Sequence, residues 1–183
     1  RLTRVAVCFD EGRPLRRREM YPAYQTGRER DPKFMAYEAT ILAAIAEFSA
    51  AARALPIEIV RGKNTEADDL IAGLVQAHSK AEKRIVSTDR DFMQLIGPSL
   101  SIYSPVKKLV VTEENFFDAI SLKGRFPRER FLDYRALIGD PSDDLPGVPG
   151  IGEVTASKLM AAHPLDAFIA EPSLAAAALG RKS

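Results

Sequence analysis

Val5-Ala6-Val7-Cys8-Phe9 is an unbroken apolar run, too short for a helix. It predicts a strand buried on both faces, as in a parallel sheet, with Asp10 directly at its C-terminal end. Glu11 to Pro32 is polar and predicts a loop with an extended segment at Leu15–Tyr21. Phe34, Tyr37, Ile41, Ile45, Phe48 and Ala52 then recur at three- and four-residue steps, which predicts an amphipathic helix from about Pro32 to Ala54. Pro56–Val60 is a second short strand, and Asn64 or Thr65 is placed to cap a helix from Glu66 to about Lys80. Arg84–Ser87 is a third strand, ending at Thr88-Asp89 and followed by a short helix over Asp91–Leu95. Leu100–Ser104 and Lys108–Val111 form an antiparallel pair through Pro105-Val106-Lys107, Thr112 caps a helix over Glu113–Ile120, and Pro127 opens another to about Ile138. From Leu145 the pattern is helical with tight turns: Glu153–Ala162, Leu165–Ala170 and Ser173–Leu179.

Strands alternating with helices predict an α/β fold with a mostly parallel central sheet flanked by helices. The expected division is a core over 1–144 and a helical part over 145–183. At 183 residues the chain is long enough to bury a core. The single cysteine, Cys8, excludes an intrachain disulfide framework, and its place inside a strand makes it an inert core residue. No apolar run is expected to approach the roughly 20 residues that span a bilayer, and no secretory signal is expected, so membrane partners are not expected. Beginning at Arg1, the sequence is expected to be a piece of a longer product.

The net charge of +1 hides an uneven distribution. Asp10, Glu66, Asp68, Asp69, Asp89, Asp91, Asp140, Asp143 and Asp144 lie in four clusters, which leaves the rest of the chain basic. Ligands of open α/β sheets bind beyond the carboxyl ends of the strands, and there Asp10, the Asp89/Asp91 pair and the Glu66-Ala67-Asp68-Asp69 cluster all fall. Acids at a helix start are ordinarily caps, so that last cluster alone means little. Together, so many carboxylates repel one another unless cations neutralise them. His78 and His163 lie outside the clusters, and an all-oxygen donor set favours Mg²⁺ or Mn²⁺ over zinc. Two such ions ~3.5–4 Å apart suit in-line hydrolysis of a phosphodiester. Downstream, Leu145-Pro146-Gly147-Val148-Pro149-Gly150-Ile151-Gly152 brings backbone N–H groups to a helix start, either an anion site for duplex backbone or a plain turn between helices. Arg13, Arg16, Arg17, Arg18, Arg28 and Arg30, interleaved with Tyr21 and Tyr24, suit a nucleic-acid strand, or a solvated loop.

Glu66-Ala67-Asp68-Asp69, Thr88-Asp89-Arg90-Asp91 and the stretch from Asp133 to Gly152 resemble the 5′→3′ exonuclease/flap endonuclease family, over most of the chain from Val5 to about His163. The resemblance implies a structure-selective nuclease with a Rossmann-like core, hydrolysing DNA at 5′ ends, flaps or nicks with two Mg²⁺ ions, for which Mn²⁺ substitutes. It implies a helical arch or clamp for the 5′ strand between about Glu19 and Ala54, and a helix-hairpin-helix over Leu145–Ala162 that binds duplex backbone with K⁺. Carried over residue by residue, the metal ligands are Asp10, Glu66, Asp68, Asp69, Asp89, Asp91, Asp140 and Asp143. Asp144 stands where the family has Asn and is left outside the ligand set. DNA contacts fall to Tyr24, Arg28, Arg30, Lys33, Gly147, Gly150 and Gly152.

Two departures accompany the resemblance. An upstream strand ending in a metal-binding Asp would precede Arg1. The Tyr-Lys-x-x-Arg segment reads Tyr24-Gln25-Thr26-Gly27-Arg28, which puts Gln25 where a lysine approaches the scissile phosphate and leaves Arg28 as the candidate cation. The competing readings are a DNA-binding member that has lost catalysis and a ribonuclease on a related fold. The expected setting is a monomer in the cytoplasm of a bacterium or phage-infected host.

Overall fold

The computed structural model describes residues 3–27 and 31–180, and the chain falls into two compact units. The first comprises Arg1–Ser79 with Ser142–Asp144. Strand β1 (Val5–Phe9) pairs in parallel with β2 (Ile57–Arg61), with Val5 opposite Ile57 and Phe9 opposite Arg61. The expected two-sided burial of β1 is not met, since Ala6 is exposed and its neighbours are only half-buried.

The segment Leu15–Met20 is a short helix, α1, where an extended segment is expected. Pro14 has no N–H to lose at this position, and its carbonyl accepts from the Arg18 N–H at 3.1 Å, while Tyr21 N–H closes on Arg17 at 2.8 Å. A run of arginines has good helix propensity once such a start is supplied.

Helix α2 (Pro32–Ala52) begins on Asp31, whose carboxylate accepts the Lys33 N–H at 2.9 Å with Pro32 at the first helical position. Its apolar positions do not form the expected core face: Tyr37 is 63% and Leu42 59% exposed, and Ala52 at 1% is buried. Phe48 meets Phe9 edge-on at 6.1 Å, which anchors the C-terminal half on β1. The helix also departs from the expectation of no span-length apolar run. Its window Met35–Ala52 has 18 residues and a mean hydropathy of 1.2, enough by length and composition to cross a membrane. Those two properties alone do not separate a spanning helix from any other apolar helix.

Helix α3 (Ala67–Ala77) packs behind β1 and β2. Neither Asn64 nor Thr65 caps it. Glu66 is the cap residue without a side-chain bond, and the Ala67 N–H goes to Asp10 Oδ1 at 2.6 Å. Asn64 is instead in the left-handed region, φ 56°, turning the chain out of β2.

The second unit comprises Lys80–Pro141 and Leu145–Ser183. β3 (Lys83–Val86) runs parallel to β4 (Leu100–Ser104), which pairs antiparallel with β5 (Leu109–Val111) through the expected turn. Asp91–Leu95 is a 3₁₀ turn. The helix expected over Glu113–Ile120 shrinks to α4 (Phe116–Ala119), because the Asn115 side chain takes Thr112 N–H at 2.8 Å and gives to Val110 O at 2.9 Å, so Thr112 does not act as its cap. Phe116, Phe126 and Tyr134 cluster with Phe131 of α5 (Phe131–Ile138) in the core. Two short strands, β6 (Gly139–Asp140) and β7 (Leu145–Pro146), close a tight antiparallel loop. Helices α6 (Glu153–Ala162), α7 (Leu165–Ala170) and α8 (Ser173–Ala178) complete the unit. Leu159 and Met160 of α6 are buried, and Arg130 ties α6 by donating to Met160 O at 2.6 Å.

Candidate metal centre

In the first unit the carboxylates of Glu66, Asp68 and Asp69 each offer an oxygen within 4.8 Å of the others. The turn after β2 starts α3 so that all three project from its first turn, where the helix N-terminus favours negative charge. Asp10, from the end of β1, is drawn to the same place by its bond to the Ala67 N–H.

Arg17 of α1 lies across the cluster. It donates to Asp69 with both terminal nitrogens, at 2.7 and 2.9 Å, and to Glu66 Oε2, and it stands 3.9 Å from Asp68. Tyr24 and Gln25 close the opposite side. The buried Tyr24 hydroxyl donates to Glu66 at 3.2 Å, and Gln25 Nε2 bridges Glu66 Oε1 at 3.0 Å and Asp143 Oδ1 at 2.9 Å. Gln25 holds this bridge from the left-handed region, φ 54°, with its N–H on Asp143 O at 3.1 Å. Asp144 accepts the Gly27 N–H at 2.7 Å, which pins the Pro22–Gly27 segment to residues 142–144.

The electrostatics show what this arrangement lacks. Burial raises the pKa of Glu66 above the ordinary carboxylate value, although Arg17 and the hydrogen bonds from Tyr24 and Gln25 oppose it. Burial likewise raises Asp68 despite Arg17. Burial would lower the Arg17 pKa, but its bond to Asp69 and the charges of Glu66, Asp68 and Asp69 outweigh that and raise it. The Tyr24 hydroxyl is pushed up by burial and by Asp143 and Glu66. The three carboxylates also carry more negative charge than the one guanidinium that pairs with them brings in positive charge. An all-oxygen set with unmet negative charge fits a hard divalent cation such as Mg²⁺ or Mn²⁺.

In the second unit Asp91, from the 3₁₀ turn after β3, and Asp140, on β6, share Arg135 of α5, at 2.9 and 2.5 Å. Burial raises the Asp91 pKa, with Asp89 and Asp140 adding to it against Arg135. Asp89 accepts the Asp91 N–H at 2.8 Å and so shapes this turn. Asp91, Arg135, Gly139 and Asp140 line a cavity of about 340 Å³ with Leu145 and Pro146.

The three hairpin glycines differ. A Cβ on Gly147 would lie 2.4 Å from Ile138 O, so this glycine lets the chain pass against α5, and Val148 N–H bonds Leu137 O at 2.8 Å. Gly150 has φ 79° in the turn Val148–Ile151, closed by a 3.0 Å bond, the position a type II turn reserves for glycine. Gly152 precedes α6 with open space around it, and no side chain caps that helix. Lys33 is exposed at the start of α2; Arg28 and Arg30 lie outside the described residues.

Arg17 and Arg135 are the site residues that the motifs do not single out. The signal was available: clustered carboxylates need a countercharge, and Arg135 stands five residues before Asp140.

Residues 1–121 match the family model for the 5′-3′ exonuclease N-terminal resolvase-like domain, and residues 126–179 that for the 5′-3′ exonuclease C-terminal SAM fold. The chain belongs to the 5′-3′ exonuclease family. It is 35% identical over 159 residues to the thermostable DNA polymerase I of Thermus filiformis, covering 86% of this chain and 18% of that protein. It is 34% identical over 163 residues to DNA polymerase I of Mycobacterium bovis, covering 88% and 17%. The chain thus spans under a fifth of the length of these relatives. Its fold is similar to a bacteriophage T5 protein co-crystallised with metal ions, with a TM-score of 0.75 at 21% identity, over 85% of this chain and 60% of that one. It is also similar to the bacteriophage T5 flap endonuclease in a complex with DNA and metal ions, with a TM-score of 0.71 at 21% identity, over 85% and 58%.

Proposed function

We propose that this chain hydrolyses DNA phosphodiester bonds at 5′ ends, flaps or nicks, using two Mg²⁺ ions with Mn²⁺ able to substitute. The observation that carries the reading is the carboxylate set Glu66, Asp68 and Asp69, three acids gathered around the single guanidinium of Arg17. Glu66, Asp68, Asp69, Asp10 and Asp143 are the ligands proposed from the first unit, and Asp89, Asp91 and Asp140 from the second. A divalent ion held by such groups lowers the pKa of bound water and stabilises charge on the phosphoryl oxygens.

The chain's own groups do the positioning. Gln25 fixes the facing oxygens of Glu66 and Asp143, and the Tyr24 hydroxyl donates to the same Glu66 oxygen as Gln25. Tyr24 thereby serves the carboxylates, and its buried ring is not open to stack on a base. Arg28 is the proposed cation toward the scissile phosphate, with Arg30 and Lys33 beside it along the strand. The uncapped start of α6, reached through the Gly150 turn, meets duplex backbone, which makes binding salt-dependent and indifferent to sequence. K⁺ at that hairpin, a monomeric state and a cytoplasmic setting belong to the same reading.

The test is a 5′-labelled flap duplex with Mg²⁺, with and without chelator, beside single-stranded and RNA controls. Metal-dependent release from the flap supports the nuclease. Tight binding without cleavage points to a member that has lost catalysis, and cleavage confined to RNA points to a ribonuclease.

A further inference from the structure

We infer that Arg17 is a built-in occupant of the Glu66/Asp69 metal site, competing with the divalent cation and leaving those carboxylates when the ion binds. The inference rests on the metal reading above and adds a residue that the reading does not need.

Three of its hydrogen bonds fall on oxygens of Glu66 and Asp69, and its charge faces Asp68. A planar fork of this kind matches carboxylates bidentately and occupies lone pairs that a metal would use. The hold is partial. The Arg17 side chain is 31% and Asp69 50% exposed, so solvent reaches the pair and the guanidinium can withdraw. Arg17 also rides on a helix of six residues whose neighbour Arg16 is exposed, and its guanidinium carbon lies 5.8 Å from the Tyr24 ring. Beside it, Pro14, Arg16, Met20, Asn64 and Thr65 border an open cavity of about 530 Å³, into which the side chain has room to move. In the metal-free protein Arg17 therefore holds Glu66 and Asp69 together against their mutual repulsion. On loading it gives up those oxygens, and its charge turns to the basic strand-binding side.

A competitor that fills the site about 90% of the time weakens apparent metal affinity by roughly tenfold. The test measures Mn²⁺ binding to the purified protein by calorimetry and electron paramagnetic resonance, for the parent, Arg17→Ala and Arg17→Lys, alongside thermal unfolding with and without saturating Mn²⁺. Arg17→Ala is expected to bind Mn²⁺ more tightly, by roughly threefold to tenfold on the same argument. Arg17→Lys keeps the charge and falls between the two. Metal-free Arg17→Ala unfolds at lower temperature than the parent, and the gap closes in Mn²⁺. If Arg17→Ala does not fold, Arg17→Gln takes its place in the same comparison. Unchanged or weaker Mn²⁺ binding with Arg17 removed overturns the inference while leaving the metal site intact. Absence of Mn²⁺ binding in parent and variants alike overturns both this inference and the metal reading.

Discussion

Gly147→Ala isolates a glycine that serves packing from those proposed to serve DNA. The added Cβ would sit 2.4 Å from Ile138 O, 2.5 Å from Ile138 C and 2.7 Å from Leu137 O, all backbone atoms of α5. Ordinary contact begins at 3.4 Å, so the chain has to move away by about 1 Å. No flexible side chain is available to yield, and the Val148–Leu137 hydrogen bond holds the two segments together. Overpacking of this kind costs about 1–3 kcal/mol. At this chain length that is a fall in Tm of roughly 2–12 °C. Gly152→Ala is the control: φ is −96° and nothing lies within 4 Å of its Cβ. Its cost is limited to a poorer helix cap, below about 1 kcal/mol. Circular dichroism melts at fixed Mg²⁺ measure stability, and fluorescence anisotropy with a nicked duplex measures binding. Gly147→Ala should lose Tm, while Gly152→Ala should lose no more than about 4 °C and should lose affinity as the side chain holds the phosphate off the amides. A Gly147→Ala melt within a degree of the parent would refute the packing argument, and undiminished affinity in Gly152→Ala would refute the anion role.

Asp10→Ala removes the acceptor of the Ala67 N–H and should cost about 0.5–2 kcal/mol in unfolding free energy; a metal-free variant as stable as the parent would mean that water caps α3 equally well. Arg28→Ala should lower the single-turnover cleavage rate by roughly a hundred- to a thousandfold, as for loss of one transition-state donor; a parent-like rate would put the cation elsewhere. For pH, Glu66 has its folded pKa raised, so its stabilising contribution is full below the unfolded value and is lost as pH rises through the folded one. Metal-free Glu66→Gln should therefore gain Tm relative to the parent as pH rises above the ordinary glutamate value of about 4.3, and a gap running the other way would mean that Arg17 overcompensates for burial.

Much of the fold is visible in the spacing of apolar residues. The β4–β5 pair, α5 and the helices from Glu153 onward follow from periodicity with capping and turn residues, because those signals are local. The failures are where a distant partner decides. The cap of α3 comes from Asp10, over fifty residues earlier, and Asn115 shortens α4 through two bonds at once. The periodic face of α2 reads as a core face, yet periodicity reports only that a face is apolar and not what covers it. The carboxylates were visible as clusters because their types and order carry the chemistry. Their arginines were visible only as a need for countercharge, since a lone Arg in a basic stretch or on a helix does not show which acid it meets until the structure sets it beside one. The three hairpin glycines look alike in the sequence, and their separate duties appear only with φ and the space around each one.

The most direct test of the central claim is single-turnover cleavage of a 5′-labelled flap duplex by the parent and by Asp140→Ala, each with Mg²⁺ and with chelator. The expected result is release of the flap by the parent in Mg²⁺ alone, with Asp140→Ala binding the duplex normally and cutting nothing. Release that persists in chelator, or an Asp140→Ala variant that cuts at the parent rate, would contradict a metal-dependent nuclease built on these carboxylates.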